Sequence, residues 1–196
     1  MKALQSLPQN YDLHKEIDLS RDYRLLVVLN LLAIPLLFLF SWFFRRLALL
    51  FRSDFQTGEI RISTLDSVLG IVVSLVGVII LHELVHGVFF WVITGQRPHF
   101  GFKGAYAFAA APTWYIARGP YLIVGLSPLV LITIAGVLLL PVVPLEILSP
   151  LALALTFNGA GAIGDAAIVV YLLTLPPSVL INDRGDAVAV YIKQDT

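Results

Sequence analysis

The chain has 196 residues, of which 58% are hydrophobic and 13% charged, with 13 basic residues, 13 acidic residues and no cysteine. About a quarter of the residues in a soluble domain are charged, so this composition excludes an ordinary soluble protein and predicts an integral membrane protein. The balanced charge gives no electrostatic basis for binding nucleic acid. The absence of cysteine excludes disulfides, thiolate metal sites and cysteine nucleophiles.

Four apolar segments are each long enough to cross a bilayer, which takes about 20 residues per helix. They cover about residues 25–44, 68–93, 121–143 and 151–175. Prolines at the edges of the third and fourth segments are consistent with helix ends there, because proline cannot continue a helix but is tolerated in its first turn. Pro35, inside the first segment, predicts a kink. We predict an all-α integral membrane protein with about four transmembrane helices, as a single membrane domain over residues 1–196.

The distribution of lysine and arginine predicts how the chain crosses the membrane. The N-terminal segment 1–24, the loop after the second apolar segment and the tail together carry nine of these residues, against four in the other loops. By the positive-inside rule, both termini are expected in the cytoplasm of a multi-pass cell-membrane protein. Arg45 and Arg46, after the first apolar segment, favour the opposite orientation.

Two stretches outside the apolar segments look like strands, and the first of them alternates with a period of two. In residues 99–109 the aromatic side chains share one parity, and with residues 114–116 they predict a short β-hairpin at the membrane interface, over 99–116. These aromatic residues form either an interfacial belt or a platform for substrate. Residues 186–193 predict a C-terminal strand after a turn at Asn182–Gly185. We expect Asp183 to be a turn residue and His99 a surface residue.

The second apolar segment carries the most specific motif in the chain. Residues 82–86 read His-Glu-Leu-Val-His. A helix brings positions i and i+4 onto one face, so His82 and His86 can bind one metal ion. Glu83 lies beside them, where a carboxylate can take a proton from an attacking water. Ionisable side chains are expensive inside a bilayer, so three of them within five residues predict a functional site.

Asp165 is the third metal ligand that we predict. Apart from His82, Glu83 and His86, Asp165 is the only charged or titrating side chain that we expect within the four segments. With four crossings the second and fourth helices run in the same direction, and at 1.5 Å per residue Asp165, His82 and His86 all lie about 12–18 Å from the same end. Two histidines, one aspartate and an open fourth position are typical of catalytic zinc. The alternative is a polar cluster without metal, in which Asp165 caps a helix or bonds between helices.

Asn158 is the last residue that we place in the site from sequence. Residues 157–165 read Phe-Asn-Gly-Ala-Gly-Ala-Ile-Gly-Asp, and such small residues let helices approach closely but also weaken the helix. Asn158 lies about two turns before Asp165 and shares its face if the helix is regular. It could hold a substrate peptide group or stabilise an oxyanion, or it could serve only to bond one helix to another.

The motif helix followed by Asn158 and Asp165 in a later helix resembles the site-2 proteases, which are intramembrane zinc metalloproteases. A closer resemblance is to a prokaryotic family of zincin-type peptidases catalogued as a domain of unknown function. Its pattern is similar over about residues 65–192, which we take as the metallopeptidase-like core. The shared elements are the His-Glu motif, Pro98-His-Phe-Gly-Phe-Lys103, Ser127-Pro128, Asn158, Gly164-Asp165, and an Asp-rich turn before a terminal strand.

The resemblance implies a role for each residue of the site. His82, His86 and Asp165 would bind one catalytic Zn²⁺, Glu83 would be the general base, and Asn158 would contact the substrate backbone. The partners implied are the lipid bilayer and a membrane-protein or peptide substrate, in a prokaryotic plasma membrane. Two features depart from true site-2 proteases, because no proline lies between the Asn and the Asp and because alanine follows the Asp. The chain also has no room for an inserted PDZ domain.

The function favoured by the sequence is therefore intramembrane hydrolysis of a peptide bond by zinc-activated water. Two other classes use the same residues. A metal or ion transporter would use them as a transit site, although such proteins usually show inverted repeats and this chain shows none. A non-catalytic metal-binding scaffold would keep them for stability alone.

Overall fold

The computed structural model describes residues 3–18, 20–52, 65–102 and 107–194. Its helices and strands, in chain order, are β1 (Ala3–Leu4), β2 (Tyr11–Asp18), α1 (Tyr23–Phe51), α2 (Leu65–Thr94), β3 (His99–Phe102), β4 (Ala107–Ala110), β5 (Tyr115–Ala117), α3 (Arg118–Leu139), α4 (Leu145–Gly161), α5 (Ile163–Leu173), β6 (Leu180–Asp183) and β7 (Ala187–Lys193).

The four predicted apolar segments all form helices that are long and apolar enough to cross a membrane. The helices α1 and α4 run beyond the predicted bounds, since α1 continues through Arg45 and Arg46 to Phe51 and α4 begins before Pro150. Arginine is a good helix former, so the pair does not end the helix. The helix α3 instead ends at Leu139, before the predicted end at residue 143. The fourth segment consists of α4 and α5, which are interrupted at Ala162.

Large apolar side chains on these helices point away from the protein. Phe38 is 75% exposed, Leu50 81%, Val92 70% and Leu138 69%. Exposed apolar surface this extensive marks a membrane or a partner surface in proteins generally. The helices thus have the surface that a lipid environment requires.

The prediction of an all-α protein with only a hairpin and a terminal strand was wrong in part, because five strands form an antiparallel sheet. The strand order is β1-β5-β6-β7-β2. The predicted C-terminal strand is confirmed as β7, and it pairs with β6 on one side and with β2 on the other. The sequence did not reveal β2 because Tyr11–Asp18 is polar and largely exposed, as an edge strand is. The strands β1 and β5 are too short to show a period.

The predicted hairpin over residues 99–116 is also corrected. Only β3 and β4 form a hairpin, in which His99 pairs with Ala110 and Phe102 with Ala107. The strand β5 belongs to the five-stranded sheet instead, where Ile116 pairs with Ile181. Residues 103–106, which the predicted strand included, lie outside the described residues.

The chain divides into two compact units, each with its own core. The first comprises Met1–Leu29, Glu83–Ser127 and Gly164–Thr196. It holds the sheet and the hairpin. Its core joins the sheet residues Ile116, Ile181 and Val190, and Val179 just before β6, to the helix residues Phe90, Tyr121, Val124 and Leu172.

The second unit comprises Asn30–His82 and Pro128–Ile163. Its core is formed by α1, α4 and the end of α3, through Phe44, Ala48, Leu140, Leu148 and Leu155. The single membrane domain that we expected over residues 1–196 stays a prediction.

Candidate metal centre

Three side chains that the sequence singled out come together. His82 and His86 lie one turn apart on α2, and Asp165 lies in the first turn of α5. Each residue offers one ligand atom, and these three atoms lie within 4.8 Å of one another. The predicted proximity of Asp165 to the motif is thus present in the structure.

His86 is held in one orientation by a main-chain carbonyl. Its Nδ1 lies 2.9 Å from the oxygen of Val124, and the side chain is buried. A carbonyl oxygen only accepts, so Nδ1 carries a hydrogen, and in the neutral imidazole Nε2 then holds the lone pair. Nε2 lies 3.5 Å from Oδ1 of Asp165. The lone pair of His86 and the carboxylate of Asp165 therefore meet at one place.

His82 is held in the same way by Asn158. Its Nδ1 lies 3.1 Å from Oδ1 of Asn158. The amide nitrogen of Asn158 faces the oxygens of Pro128, Leu129 and Thr133 at 3.4–3.5 Å, so Oδ1 is the acceptor and Nδ1 of His82 the donor. In the neutral imidazole of His82, Nε2 is then the ring nitrogen with the lone pair that a metal requires.

The local sequence explains where Asp165 lies. The last hydrogen bond of α4 runs from the Ala162 N–H to the main-chain carbonyl oxygen of Asn158, at 3.2 Å. The helix α5 then begins at Ile163. The prediction that the glycine-rich approach weakens this helix is borne out by the break. Asn158 contacts His82 and Asp165 contacts His86, so each of the two residues has its own histidine partner. At Gly159 a side chain would meet the ring of Phe40 at 2.9 Å, so this glycine permits close packing.

The donor set fits zinc. Around a tetrahedral Zn²⁺ with bonds near 2.1 Å, ligand atoms lie about 3.4 Å apart, which matches the 3.5 Å between His86 and Asp165. Histidines that bind metals generally donate their other ring N–H to a carbonyl or carboxylate, and His82 and His86 both donate to a carbonyl oxygen here. His82, His86 and Asp165 are thus able to hold the ion.

Glu83 and Asn158 are the remaining residues that the sequence placed in the site. Glu83 follows His82 on α2 and is half-buried. Asn158 is 2% exposed and its amide is engaged with His82 and α3. A contact between Asn158 and substrate stays a prediction, as does the role of Glu83 as a base. His99 is exposed, as expected for a surface histidine.

One buried polar pair was missed by the sequence reasoning. Asp183 accepts a hydrogen bond of 2.5 Å from the Tyr121 hydroxyl and one of 2.8 Å from the Gly185 N–H. The second bond is the turn role that we predicted, whereas the first joins residues 62 positions apart and leaves no local signal. Burial raises the pKa of Asp183 to about 6, although both donors and nearby His86 lower it.

Another missed residue is Arg118, which joins the beginning of α3 to the end of α5. Its guanidinium donates to the carbonyl oxygens of Leu172 and Leu175. Carbonyls at the end of a helix have no helical donor, and arginine commonly satisfies them. Arg118 thus ties α3, which carries the Val124 acceptor, to α5, which carries Asp165.

Two histidines and an aspartate within one cluster, beside the glutamate of the motif, are a set of side chains that could hold a metal ion. A family model described as "Putative zincin peptidase" (DUF3267) matches residues 75–180, which is more than half of the chain. The chain belongs to this family, as its resemblance predicted, and the family implies zinc as the metal. Neither the curated proteins nor the solved structures gave a match.

Proposed function

We propose that this protein is an intramembrane zinc metalloprotease that hydrolyses a peptide bond of a membrane-associated substrate. The observation that carries the proposal is the convergence of His82, His86 and Asp165 within 4.8 Å on helices apolar enough to cross a bilayer. Metal ligands at such a depth serve chemistry or transport rather than surface stability. Membership of a zincin-type family favours chemistry.

Each residue of the site has a distinct task in this proposal. His82, His86 and Asp165 bind the metal, which when bound lowers the pKa of a water and polarises a carbonyl group. Glu83 accepts the proton of the attacking water and passes it to the leaving amine. Asn158 and the Val124 carbonyl keep both histidines in the tautomer whose Nε2 can bind.

The substrate must present an extended backbone, because a helix hides its peptide groups in hydrogen bonds. The strands β3 and β4 form a two-stranded sheet, so each is an edge strand among the described residues. An extended peptide can add to such an edge through main-chain hydrogen bonds. We assign the hairpin this role, with the exposed side chains of Phe100 and Phe102 contacting the substrate or the membrane interface.

The substitution Glu83→Gln tests the chemistry. It keeps the size of the side chain and removes its ability to accept a proton, so we expect zinc content to stay at the wild-type level. Cleavage should fall by about 10²–10⁴-fold, which is the usual contribution of a general base. Zinc is measured by elemental analysis of purified protein, and cleavage with a library of transmembrane peptides in proteoliposomes.

The matched control is Glu146→Gln, in the exposed first turn of α4. It should leave both zinc content and cleavage unchanged. Cleavage that survives Glu83→Gln would remove Glu83 as the base. Zinc that survives both His82→Ala and Asp165→Ala would remove the metal site itself.

The interruption at Ala162 favours one alternative, a metal transporter, because transporters hold ions at broken membrane helices. That protein would move Zn²⁺ into liposomes, and Asp165→Ala would abolish the flux. A protease would lose cleavage in Glu83→Gln while keeping its zinc, and a transporter would not show this pattern. A liposome flux assay on wild type and both variants separates the two functions.

A further inference from the structure

The carbonyl oxygen of Val124 receives two side-chain hydrogen bonds inside α3. His86 donates to it through Nδ1 at 2.9 Å, and Ser127 donates through its hydroxyl at 2.8 Å. In an uninterrupted helix this oxygen would accept the N–H of residue 128. That position is Pro128, which lies inside the helix and has no N–H to donate.

Pro128 therefore leaves the Val124 oxygen without its helical donor. A carbonyl oxygen has two lone pairs, and at Val124 these are taken by Ser127 and His86. An N–H at position 128 would be a third donor for two lone pairs. It would also keep the carbonyl aligned along the helix, away from a side chain on α2.

We propose that Ser127-Pro128 is a positioning device for the metal site, which frees the Val124 carbonyl to hold His86 as the Nδ1–H tautomer. Pro128 acts through main-chain chemistry, and it contacts neither the metal nor the substrate. The proline thus weakens one helix so that the metal ligand His86 is fixed before the metal binds. The inference rests on the proposed metal site, and it adds a residue that determines metal affinity.

The substitution Pro128→Ala tests the device, because it restores the N–H and little else. We expect the zinc dissociation constant, measured by competition with a chelator, to rise about tenfold to a hundredfold, as for other losses of the partner of a metal-binding histidine. The unfolding temperature in detergent should stay the same or rise, because α3 gains a hydrogen bond. A residue that only shaped the fold would not lower zinc affinity while preserving stability.

Pro35→Ala is the matched control, since Pro35 also lies inside a membrane-length helix and the described contacts place no metal ligand at α1. It should leave the zinc dissociation constant unchanged. Wild-type zinc affinity in Pro128→Ala would overturn the proposal. So would an equal loss in Pro35→Ala, because the effect would then be a general one of membrane prolines.

A second measurement needs no zinc, and its result on the wild type alone can already overturn the proposal. The chain has four histidines, so ¹⁵N chemical shifts of metal-free, histidine-labelled protein report each tautomer, with His86→Gln for assignment. We expect Nδ1–H for His86 in wild type and a mixture in Pro128→Ala. An Nε2–H tautomer in wild type would overturn the proposal even if zinc binds. Failure of wild type to bind zinc, with the Nδ1–H tautomer present, would instead overturn the proposed function.

Discussion

Both histidines of the site bond through Nδ1, but the acceptors differ in kind. His86 uses a main-chain oxygen, which is fixed by the helix that carries it, whereas His82 uses the side-chain amide of Asn158. That amide is itself held by α3 oxygens at 3.4–3.5 Å. A side-chain acceptor can be removed by one substitution, so Asn158 is the more direct test of how a metal ligand is supported.

Asn158→Ala should raise the zinc dissociation constant about tenfold to a hundredfold, because His82 loses the partner that orients it. The measurement is chelator competition, with cleavage followed on zinc-saturated protein. Thr156→Val on the same helix is the control. Among the residues that the structure describes, the Thr156 hydroxyl bonds to the Ala152 oxygen in its own helix, so this variant should not change zinc affinity. Unchanged affinity with lost cleavage would favour the substrate contact that the sequence suggested for Asn158.

Asp183 should make stability depend on pH. Its folded pKa of about 6 exceeds the ordinary value of 3.8, so the folded state holds the proton more tightly than the unfolded state. The free energy of unfolding should therefore be highest below about pH 4, fall between about pH 4 and 6, and level off above that, losing about 3 kcal/mol from this group. Chemical unfolding in detergent across this range measures the loss.

Asp183→Asn should flatten that fall, because an amide does not titrate but can still accept from Gly185 and meet the Tyr121 hydroxyl. Asp186→Asn, three residues later in the same turn, should retain it. An unchanged pH profile in Asp183→Asn would show that the buried pair with Tyr121 does not govern acid behaviour.

Among the elements, the hairpin of β3 and β4 is anchored by aromatic rings on glycines. Phe100 covers Gly87, directly after His86, and Phe108 covers Gly101 and the turn glycine Gly185. A side chain at either covered position would displace a ring. The hairpin is therefore held against α2 next to a metal ligand, where an added substrate strand would lie close to the site.

Gly185→Ala tests this anchoring. Gly185 has a φ of 91°, a conformation that costs a side-chain residue about 1–3 kcal/mol, and the new methyl group would also push on Phe108. We expect the unfolding temperature in detergent to fall. Gly119→Ala is the control, because nothing lies near that glycine and alanine favours a helix; a fall of equal size there would contradict the account.

At the scale of the whole molecule, exposed apolar side chains on membrane-length helices coexist with a small antiparallel sheet. The edge strand β2 carries exposed charged residues, whereas the membrane-length helices expose many large apolar side chains. Such a division suits a protein whose sheet faces water while its helices face lipid. The proposed topology places both termini in the cytoplasm.

The natural absence of cysteine makes this topology testable. Gln194→Cys lies in the exposed C-terminal segment and Val142→Cys in the exposed turn between α3 and α4. In intact cells a membrane-impermeant maleimide should label the second position and leave the first unlabelled until the membrane is opened. Labelling of Gln194→Cys in intact cells would indicate the opposite orientation, which is the one that Arg45 and Arg46 favour.

The elements that were predictable from sequence are those whose signal is local. About twenty apolar residues in one segment predict a membrane-length helix, and a strand-like run after a turn predicted β7. In contrast, β2 is recognisable only through its pairing with β7 at the other end of the chain, where Tyr11 lies opposite Lys193. The glycines before Asp165 predicted a weakened helix, but they did not predict that the interruption would lie at Ala162.

The sequence by itself determined the four membrane-length helices, the motif and the three side chains of the candidate metal centre, because helical spacing and the cost of burying charge in lipid are local constraints. Tertiary structure decided which ring nitrogen of each histidine is available, that Asn158 serves His82, and that Asp183 is buried against Tyr121. Those outcomes depend on three hydrogen bonds whose partners are separated along the chain by 38, 76 and 62 positions. Such bonds form only when the helices and strands have packed together, so no local pattern records them.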